Sequence, residues 1–169
     1  MMKLDWKPAG ALLLGALSCT TAVDNRLPKE AERVLIGATS LELMALDPTP
    51  LALTPGDARA ADQLHGYAIT GRARLTDPQR CTEVADLILR AVRESDGRAA
   101  ACFNPRHGIR AVYEGRTLEL VICFECLSMQ VFGDALGASG AQQNVLISNS
   151  GEGSINRIFK GEGLAVSGQ

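Results

Sequence analysis

The fold of this chain is decided by the stretch from residue 109 to residue 120, IRAVYEGRTLEL. Two segments rich in residues that favour β-strands flank Glu114 and Gly115, and this pattern predicts a β-hairpin with its turn at that dipeptide. With the turn centred at that dipeptide, the two strands pair in a register that sets Ile109 opposite Leu120 and Ala111 opposite Leu118, so that apolar residues face each other. It also places Arg110 opposite Glu119, so two opposite charges face each other and favour this antiparallel pairing.

The second strand of this hairpin is predicted to run from Thr117 to Phe132. Its apolar residues alternate along the strand, but they change from even to odd positions near Cys126. Since successive side chains of a strand point to opposite faces, this change of parity predicts a bulge or a bend between two strands. The residues expected to face the core are Leu118, Leu120, Ile122, Phe124, Leu127, Met129 and Val131.

The segment from Asp77 to Gly97 predicts the main helix of the fold. Asp77 suits the N-cap, and Pro78 suits the first helical position. Apolar residues then recur at helical spacing, while charged residues occupy the opposite face. The apolar face comprises Cys81, Val84, Leu87, Ile88, Ala91 and Val92. Cys81 is therefore expected to be a small buried hydrophobe.

Weaker patterns predict the remaining elements. They are a short helix over 28–35, strands over 40–46, 67–75 and 144–148, loops over 49–62 and 133–143, and a terminal helix over 154–160. Gly161 is expected to follow the terminal helix, and Gly71 suits a β-bulge. Because strands and helices are segregated, we expect one α+β domain over 28–169, with a mainly antiparallel sheet packed against the long helix and a short C-terminal helix.

Composition limits the classes of protein to which the chain can belong. Of its 169 residues, 46% are apolar and 21% are charged, as in ordinary globular proteins. The 17 basic and 19 acidic residues nearly cancel, which argues against nucleic-acid binding through many phosphate contacts. No apolar run reaches the roughly 18 residues of a membrane-spanning helix. We therefore expect a globular domain without nucleic acid as a partner.

The first 18 residues have the pattern of a secretory signal peptide. Lys3 and Lys7 precede an uncharged stretch over 8–18 that ends in small residues. That stretch is too short for a membrane-spanning helix and has the length of a signal-peptide core. The sequence thus predicts that residues 1–18 direct export and are then removed.

The stretch over 15–19, GALSC, resembles the lipobox of bacterial lipoproteins. In that family a diacylglycerol is attached to the cysteine, the preceding peptide is removed, and the new amino terminus is acylated. The resemblance implies that Cys19 is the lipidated first residue of the mature protein, followed by a tether over 19–27. Several acyl chains on one residue give stable anchoring. In that family, an Asp directly after the lipidated cysteine marks retention in the inner membrane. Thr20 occupies that position here, so the resemblance implies attachment at the periplasmic face of the outer membrane.

Two blocks in the body, CFNPRHGI over 102–109 and ICFEC over 122–126, resemble a pattern in short bacterial proteins to which no activity is assigned. The segment INRIF over 155–159 resembles the end of the same proteins. The resemblance implies common membership of such a family, but it brings no activity, cofactor or fold with it.

The cysteines of these blocks permit three interpretations. A Cys3His zinc site has a full set of candidate ligands in Cys102, His107, Cys123 and Cys126. The hairpin register opposes this site, since it places His107 and Cys123 on opposite faces of the sheet. Cys123 and Cys126 alone form a Cys-x-x-Cys motif, which is typical of thiol-redox sites. A structural disulfide is the third interpretation, and it suits an exported protein.

The preferred disulfide joins Cys102 to Cys126. Extending the hairpin register places Cys102 opposite Leu127, one residue from Cys126. A bulge at that point would bring the two cysteine Cα atoms within the limit of about 7 Å that a disulfide requires. A bond between Cys102 and Cys123 is the second choice, and Cys81 is expected to remain a buried thiol.

The sequence contains no convincing catalytic constellation. A nucleophile pair of Cys102 and His107 lacks an orienting third group and an oxyanion site. We therefore expect a non-catalytic accessory or binding lipoprotein of the cell envelope, held at the membrane by its lipid, with an envelope protein as partner and no cofactor. The alternative is a zinc-binding or thiol-redox protein centred on Cys102, His107, Cys123 and Cys126.

Overall fold

The computed structural model describes residues 25–51, 62–137 and 142–166. Within these ranges the chain forms three α-helices, seven β-strands and a short 3-10 helix. The helices are α1 (Lys29–Gly37), α2 (Pro78–Arg93) and α3 (Glu152–Gly161), and the 3-10 helix is Asp134–Leu136. The strands are β1 (Leu41–Pro50), β2 (Gln63–Leu64), β3 (Tyr67–Leu75), β4 (His107–Tyr113), β5 (Arg116–Cys123), β6 (Ser128–Phe132) and β7 (Gln143–Leu146).

The strands form one sheet in the order β2-β3-β1-β4-β5-β6-β7, and every neighbouring pair is antiparallel. The hairpin of β4 and β5 has the predicted register, with Arg110 opposite Glu119 and Ile109 opposite Leu120. Since helices are packed against a mainly antiparallel sheet, the predicted α+β fold class is confirmed.

The helices pack against one face of the sheet and enclose the main core. Leu43 and Leu120 from the central strands join Ile88 of α2 and Phe159 of α3 in this core. A smaller apolar cluster covers the opposite face and comprises Met44, Leu46, Leu64, Tyr67 and Val121. The centre of β1 is therefore buried on both faces, which explains why its apolar residues alternate imperfectly in the sequence.

The long helix α2 begins as predicted. The side chain of Asp77 accepts hydrogen bonds from two backbone N–H groups of the first turn, and Pro78 is the first helical residue. Ile88 is buried in the core, whereas Arg90 is exposed on the opposite side of the helix. Among the described residues, no helix has both the length and the apolar composition needed to cross a bilayer.

The prediction of one long strand over 117–132 is wrong, because the chain reverses in the middle of this segment. β5 ends at Cys123, a turn occupies 124–127, and β6 returns antiparallel to β5. Within the turn, the amide of Leu127 donates to the carbonyl of Phe124 at 3.2 Å, and Leu127 has a left-handed backbone with a φ of 53°. The predicted division into two strands near Cys126 is therefore confirmed, but the chain reverses between them in a hairpin turn, and this turn explains the change of parity.

The edge of the sheet beyond β3 was not predicted. β1 continues to Pro50, past the predicted end of the strand at 46, and residues 52–61 of the predicted loop lie outside the described ranges. β2 pairs with β3 through a two-residue turn at His65 and Gly66, both of which have positive φ. A positive φ at both central residues matches the twist of a tight hairpin.

The predicted bulge in β3 is confirmed, since the register between β1 and β3 shifts beside Gly71.

The last two elements differ from their predicted bounds by one or two residues at each end. β7 begins one residue earlier than predicted and ends at Leu146. α3 begins at Glu152 and includes Gly161, which was expected to follow it. Gly163, with a φ of 77°, follows the helix in the left-handed region that favours glycine.

Candidate functional site

Three cysteines come together at the turn between β5 and β6. Cys123 ends β5, and Cys126 lies three residues further on in the turn. Their Cα atoms are 5.2 Å apart, and their sulfur atoms form a disulfide. The amide of Cys126 also donates to Cys123 Sγ at 3.2 Å. Both cysteines are buried, so solvent does not reach this disulfide directly.

The third cysteine, Cys102, is held against the disulfide by the segment between α2 and β4. The amide of Ala100 donates to the carbonyl of Cys126 at 3.1 Å, and the amide of Arg106 donates to a carbonyl of β5 at 3.2 Å. Between these contacts, Cys102 Sγ lies 3.6 Å from Cys126 Sγ, and the amide of Asn104 donates to Cys126 Sγ at 3.3 Å. Because Cys102 is an exposed free thiol, an accessible thiol contacts the buried disulfide.

The predicted disulfide between Cys102 and Cys126 is corrected by this arrangement, in which Cys126 bonds to Cys123. The second choice, Cys102 with Cys123, is not formed either. The extended register placed Cys102 beside Cys126 correctly, but it treated the chain after Cys123 as a continuing strand. Residues three apart on a strand are separated by roughly 10 Å. The turn shortens that separation and brings Cys123 within bonding distance.

His107 lies on the opposite face of the sheet, among the helices. Its side chain is 2% exposed and packs edge-on against the rings of Phe124 and Phe159, with centroids 5.4 Å and 4.9 Å away. His107 Nε2 donates to Asn156 Oδ1 at 2.7 Å, because an amide oxygen can only accept. Burial lowers the pKa of His107 to about 4. A neutral imidazole is therefore part of the core.

The structure does not assemble the four predicted zinc ligands, Cys102, His107, Cys123 and Cys126. Two of the thiols are joined in a disulfide, and His107 Nε2 is bonded to Asn156 on the other face of the sheet. In the part of the chain that the structure describes, no three histidine, cysteine or acidic side chains are grouped so as to hold a metal ion. Because His107 lies on the other face of the sheet, it is not placed to act as a general base for Cys102.

Charged side chains interact around Glu125, which lies between the two bonded cysteines in the chain. Arg106 Nη1 forms an ion pair with Glu125 Oε2 at 2.6 Å, and the Glu125 side chain is 58% exposed. The pKa of Glu152, at the start of α3, is raised mainly by burial and further by the charge of Glu125, while Arg106 lowers it. Arg106 thus interacts with two carboxylates, those of Glu125 and Glu152.

Cys81 is separate from the cysteine cluster, as predicted. It is buried on α2, where its Sγ donates to the carbonyl of Leu75 at 3.5 Å. Burial raises the pKa of its thiol. Since the thiolate is the reactive form, a buried and protonated thiol is inert.

A second polar cluster lies on the outer face of the sheet and was only partly predicted. Arg110 contacts Glu119 at 2.6 Å, as the register predicts, and it also contacts Glu42 of β1 at 2.7 Å. His65 Nε2 lies 2.6 Å from Glu119 Oε2, and the His65 ring stacks on Phe132 at 3.5 Å. The hydrogen bond from His65, and then that from Arg110, lowers the pKa of Glu119. Because these groups satisfy one another, the cluster connects strands rather than offering a reactive group.

Comparison with known proteins gives no match, whether with protein families, with curated proteins or with solved structures. The resemblances to bacterial lipoproteins and to short bacterial proteins therefore stay predictions. The signal peptide over 1–18, the lipidated Cys19 and the tether as far as residue 24 lie outside the described residues.

Proposed function

We propose that this chain is a lipid-anchored protein of the cell envelope that carries out thiol–disulfide exchange at Cys102, Cys123 and Cys126. The observation that supports the exchange is the 3.6 Å separation between Cys102 Sγ and Cys126 Sγ. Exchange begins when a thiolate attacks a disulfide sulfur, and here the two reactants are already in contact. Cys102 is exposed and the disulfide is buried, so a partner's sulfur reaches the site through Cys102.

The first step of this exchange is an isomerisation within the chain. The Cys102 thiolate attacks Cys126 Sγ, the bond between these two sulfur atoms forms, and Cys123 leaves as a thiolate with the electron pair of the broken bond. One thiolate and one disulfide are present before and after the step, so no oxidant is consumed. The amide of Cys126, 3.2 Å from Cys123 Sγ, stabilises the leaving thiolate by a charge-assisted hydrogen bond.

The second step transfers oxidation to a partner, which we take to be a protein with two neighbouring thiols. One partner thiolate attacks Cys102 Sγ, forms a mixed disulfide and releases Cys126 as a thiolate. The second partner thiolate then attacks the partner sulfur of that mixed disulfide and releases Cys102. The partner gains a disulfide and loses two electrons, and this chain is left with Cys102, Cys123 and Cys126 reduced.

The location in the envelope is supported by the sequence of the amino terminus. The GALSC stretch over 15–19 provides Cys19 as the residue that carries the lipid, and the membrane is then a partner through that lipid. The periplasmic face of the outer membrane is the expected site, as Thr20 implies. Disulfides persist in exported proteins because their compartment is oxidising, which fits a chain that contains one.

The burial of Cys123 and Cys126 favours a second candidate function, that of a non-catalytic accessory or binding protein. In that case the disulfide only braces the turn between β5 and β6, and an envelope protein is bound elsewhere on the surface. The two functions differ in one observable, which is whether Cys102 exchanges with the disulfide.

Disulfide mapping under native conditions distinguishes the two functions. Trypsin places Cys102 in peptide 99–106 and both other cysteines in peptide 117–157. The folded protein is incubated with limiting N-ethylmaleimide at about pH 8, where thiols begin to ionise. It is then quenched in acid and digested without reduction. We expect a fraction in which 99–106 is cross-linked to 117–157 and Cys123 carries the label.

The control for this experiment is Cys102→Ser, which removes the attacking thiol and leaves the turn between β5 and β6 unchanged. In this variant we expect no label on Cys123 at any time. If the wild type gives only a labelled 99–106 peptide and an unlabelled, internally bonded 117–157 peptide, the disulfide is static and the accessory function is supported instead.

A further inference from the structure

We infer that the end of the molecule formed by the start of α1 and the last turns of α2 faces the membrane and contacts anionic lipid headgroups. This inference rests on the lipid anchor proposed for Cys19. The surface is a groove of about 740 Å³ that is lined by three cationic side chains, those of Arg26, Lys29 and Arg93. We call it the basal groove.

The length of chain between the anchor and the described body determines which end lies near the bilayer. Asn25 is the sixth residue after Cys19, so the two are at most about 22 Å apart. A compact body of this chain length has a diameter of roughly 37 Å, which exceeds the reach of the tether. Asn25 therefore stays within about 22 Å of the lipidated residue, so the end of the body that carries it is the end nearer the bilayer.

Asn25 is attached to the same end of the body as the basal groove. Its Nδ2 donates to the carbonyl of Val92 at 3.4 Å, and its Oδ1 accepts a hydrogen bond from the amide of Leu146 at 2.8 Å. Val92 itself lines the groove together with Leu89. The tether thus joins the body at a point directly beside the basal groove.

The charge of the basal groove suits an anionic surface. Its lining contains three cationic side chains and one carboxylate, that of Glu32, whereas the whole chain has a net charge of −2. Each lysine or arginine close to an anionic bilayer strengthens binding about fivefold. The lipid supplies the anchoring, and these contacts set the orientation of the body on the membrane.

The mature chain contains a matched pair of probes for this orientation, because Lys29 and Lys160 are its two lysines. Both are exposed. Lys29 lines the basal groove, whereas Lys160 lies near the end of α3, close to the ion pair of Arg80 with Glu162. Arg80 is in the first turn of α2, and Arg93 at its other end is about 20 Å away along the helix.

The test is amine labelling of the lipidated protein on vesicles. A water-soluble amine reagent is applied to the protein on vesicles of phosphatidylethanolamine and phosphatidylglycerol, and in parallel on vesicles of phosphatidylcholine alone. We expect the ratio of Lys29 labelling to Lys160 labelling to be at least about threefold lower on the vesicles that contain phosphatidylglycerol. Equal ratios on the two kinds of vesicle would overturn the inference.

Two variants and one mass measurement complete the test. Arg93→Gln, in the basal groove, should restore Lys29 labelling on the anionic vesicles, whereas Arg157→Gln, on the exposed side of α3, should not. The intact mass shows whether residues 19–169 carry a diacylglycerol and an acyl chain. A lipidated protein with unprotected Lys29 contradicts the orientation alone, and a mature protein without lipid contradicts the anchor.

Discussion

His107 is a polar side chain inside the main core, and its protonation affects the stability of the fold. In the folded chain its pKa is about 4, because burial disfavours the imidazolium ion. An unfolded histidine has a pKa of about 6.5. Between these two values the unfolded chain binds more protons than the folded chain, so the free energy of unfolding falls as the pH falls.

We expect the wild type to lose about 2 kcal/mol more of its free energy of unfolding than His107→Gln when the pH is lowered from 7 to 4.5. Glutamine does not titrate, and its amide can donate to Asn156 Oδ1. Urea unfolding at the two pH values measures the difference. Carboxylates such as Glu119 titrate in both proteins, so their effect cancels. Parallel losses would show that His107 is not a buried neutral group.

The polar partners of the site residues were missed because they are distant in the sequence. Asn156 follows His107 by 49 residues, and Glu119 follows His65 by 54 residues. Neither pair leaves a local pattern, since the contact depends on how α3 packs on the sheet and on the order of the strands. The contact of Arg110 with Glu119, by contrast, follows from one hairpin and could be predicted.

At the level of elements, α2, β3 and the hairpin of β4 and β5 were predicted because all of their signals are local. The cap, the proline and the helical spacing of α2 lie within one stretch over 77–93. The register of β4 with β5 follows from two strands joined by Glu114 and Gly115. Short-range patterns of this kind need no knowledge of the rest of the fold.

The turn between β5 and β6 was missed because its sequence, FECL over 124–127, contains neither glycine nor proline. Leu127 has a left-handed backbone, which leucine seldom adopts, and its carbonyl accepts a long-range hydrogen bond from the amide of Ile147 at 3.0 Å. The disulfide was predicted wrongly for the same reason, since a continuing strand keeps Cys123 away from Cys126.

The packing of α2 gives a stability prediction with a control on the same helix. Ile88 is buried against the sheet, so Ile88→Ala should lower the free energy of unfolding by roughly 2–5 kcal/mol. Arg90 is exposed two residues further on, so Arg90→Ala should change it by less than about 0.5 kcal/mol. Urea unfolding of both variants measures the two values. Similar losses would mean that the buried face of α2 is assigned incorrectly.

In the whole molecule, the cysteine cluster and the basal groove lie at the same end. Residues 146–148 connect them, since their successive amides donate to the side chain of Asn25, the carbonyl of Leu127 and the carbonyl of Ala91. Asn25 belongs to the end of the tether, Leu127 belongs to the turn that contains the disulfide, and Ala91 belongs to α2. With the groove on the bilayer, the partner that reaches Cys102 is expected to be a dithiol protein at the membrane surface.

The central claim is that Cys102 lies within bonding reach of Cys126 and can replace Cys123 as its disulfide partner. Disulfide mapping of Cys123→Ser, isolated from membranes and digested without reduction, tests this claim most directly. We expect peptides 99–106 and 117–157 to be recovered as one species joined by a bond between Cys102 and Cys126, with Cys81 as a free thiol. Recovery of Cys102 and Cys126 as two separately alkylated thiols would contradict the claim.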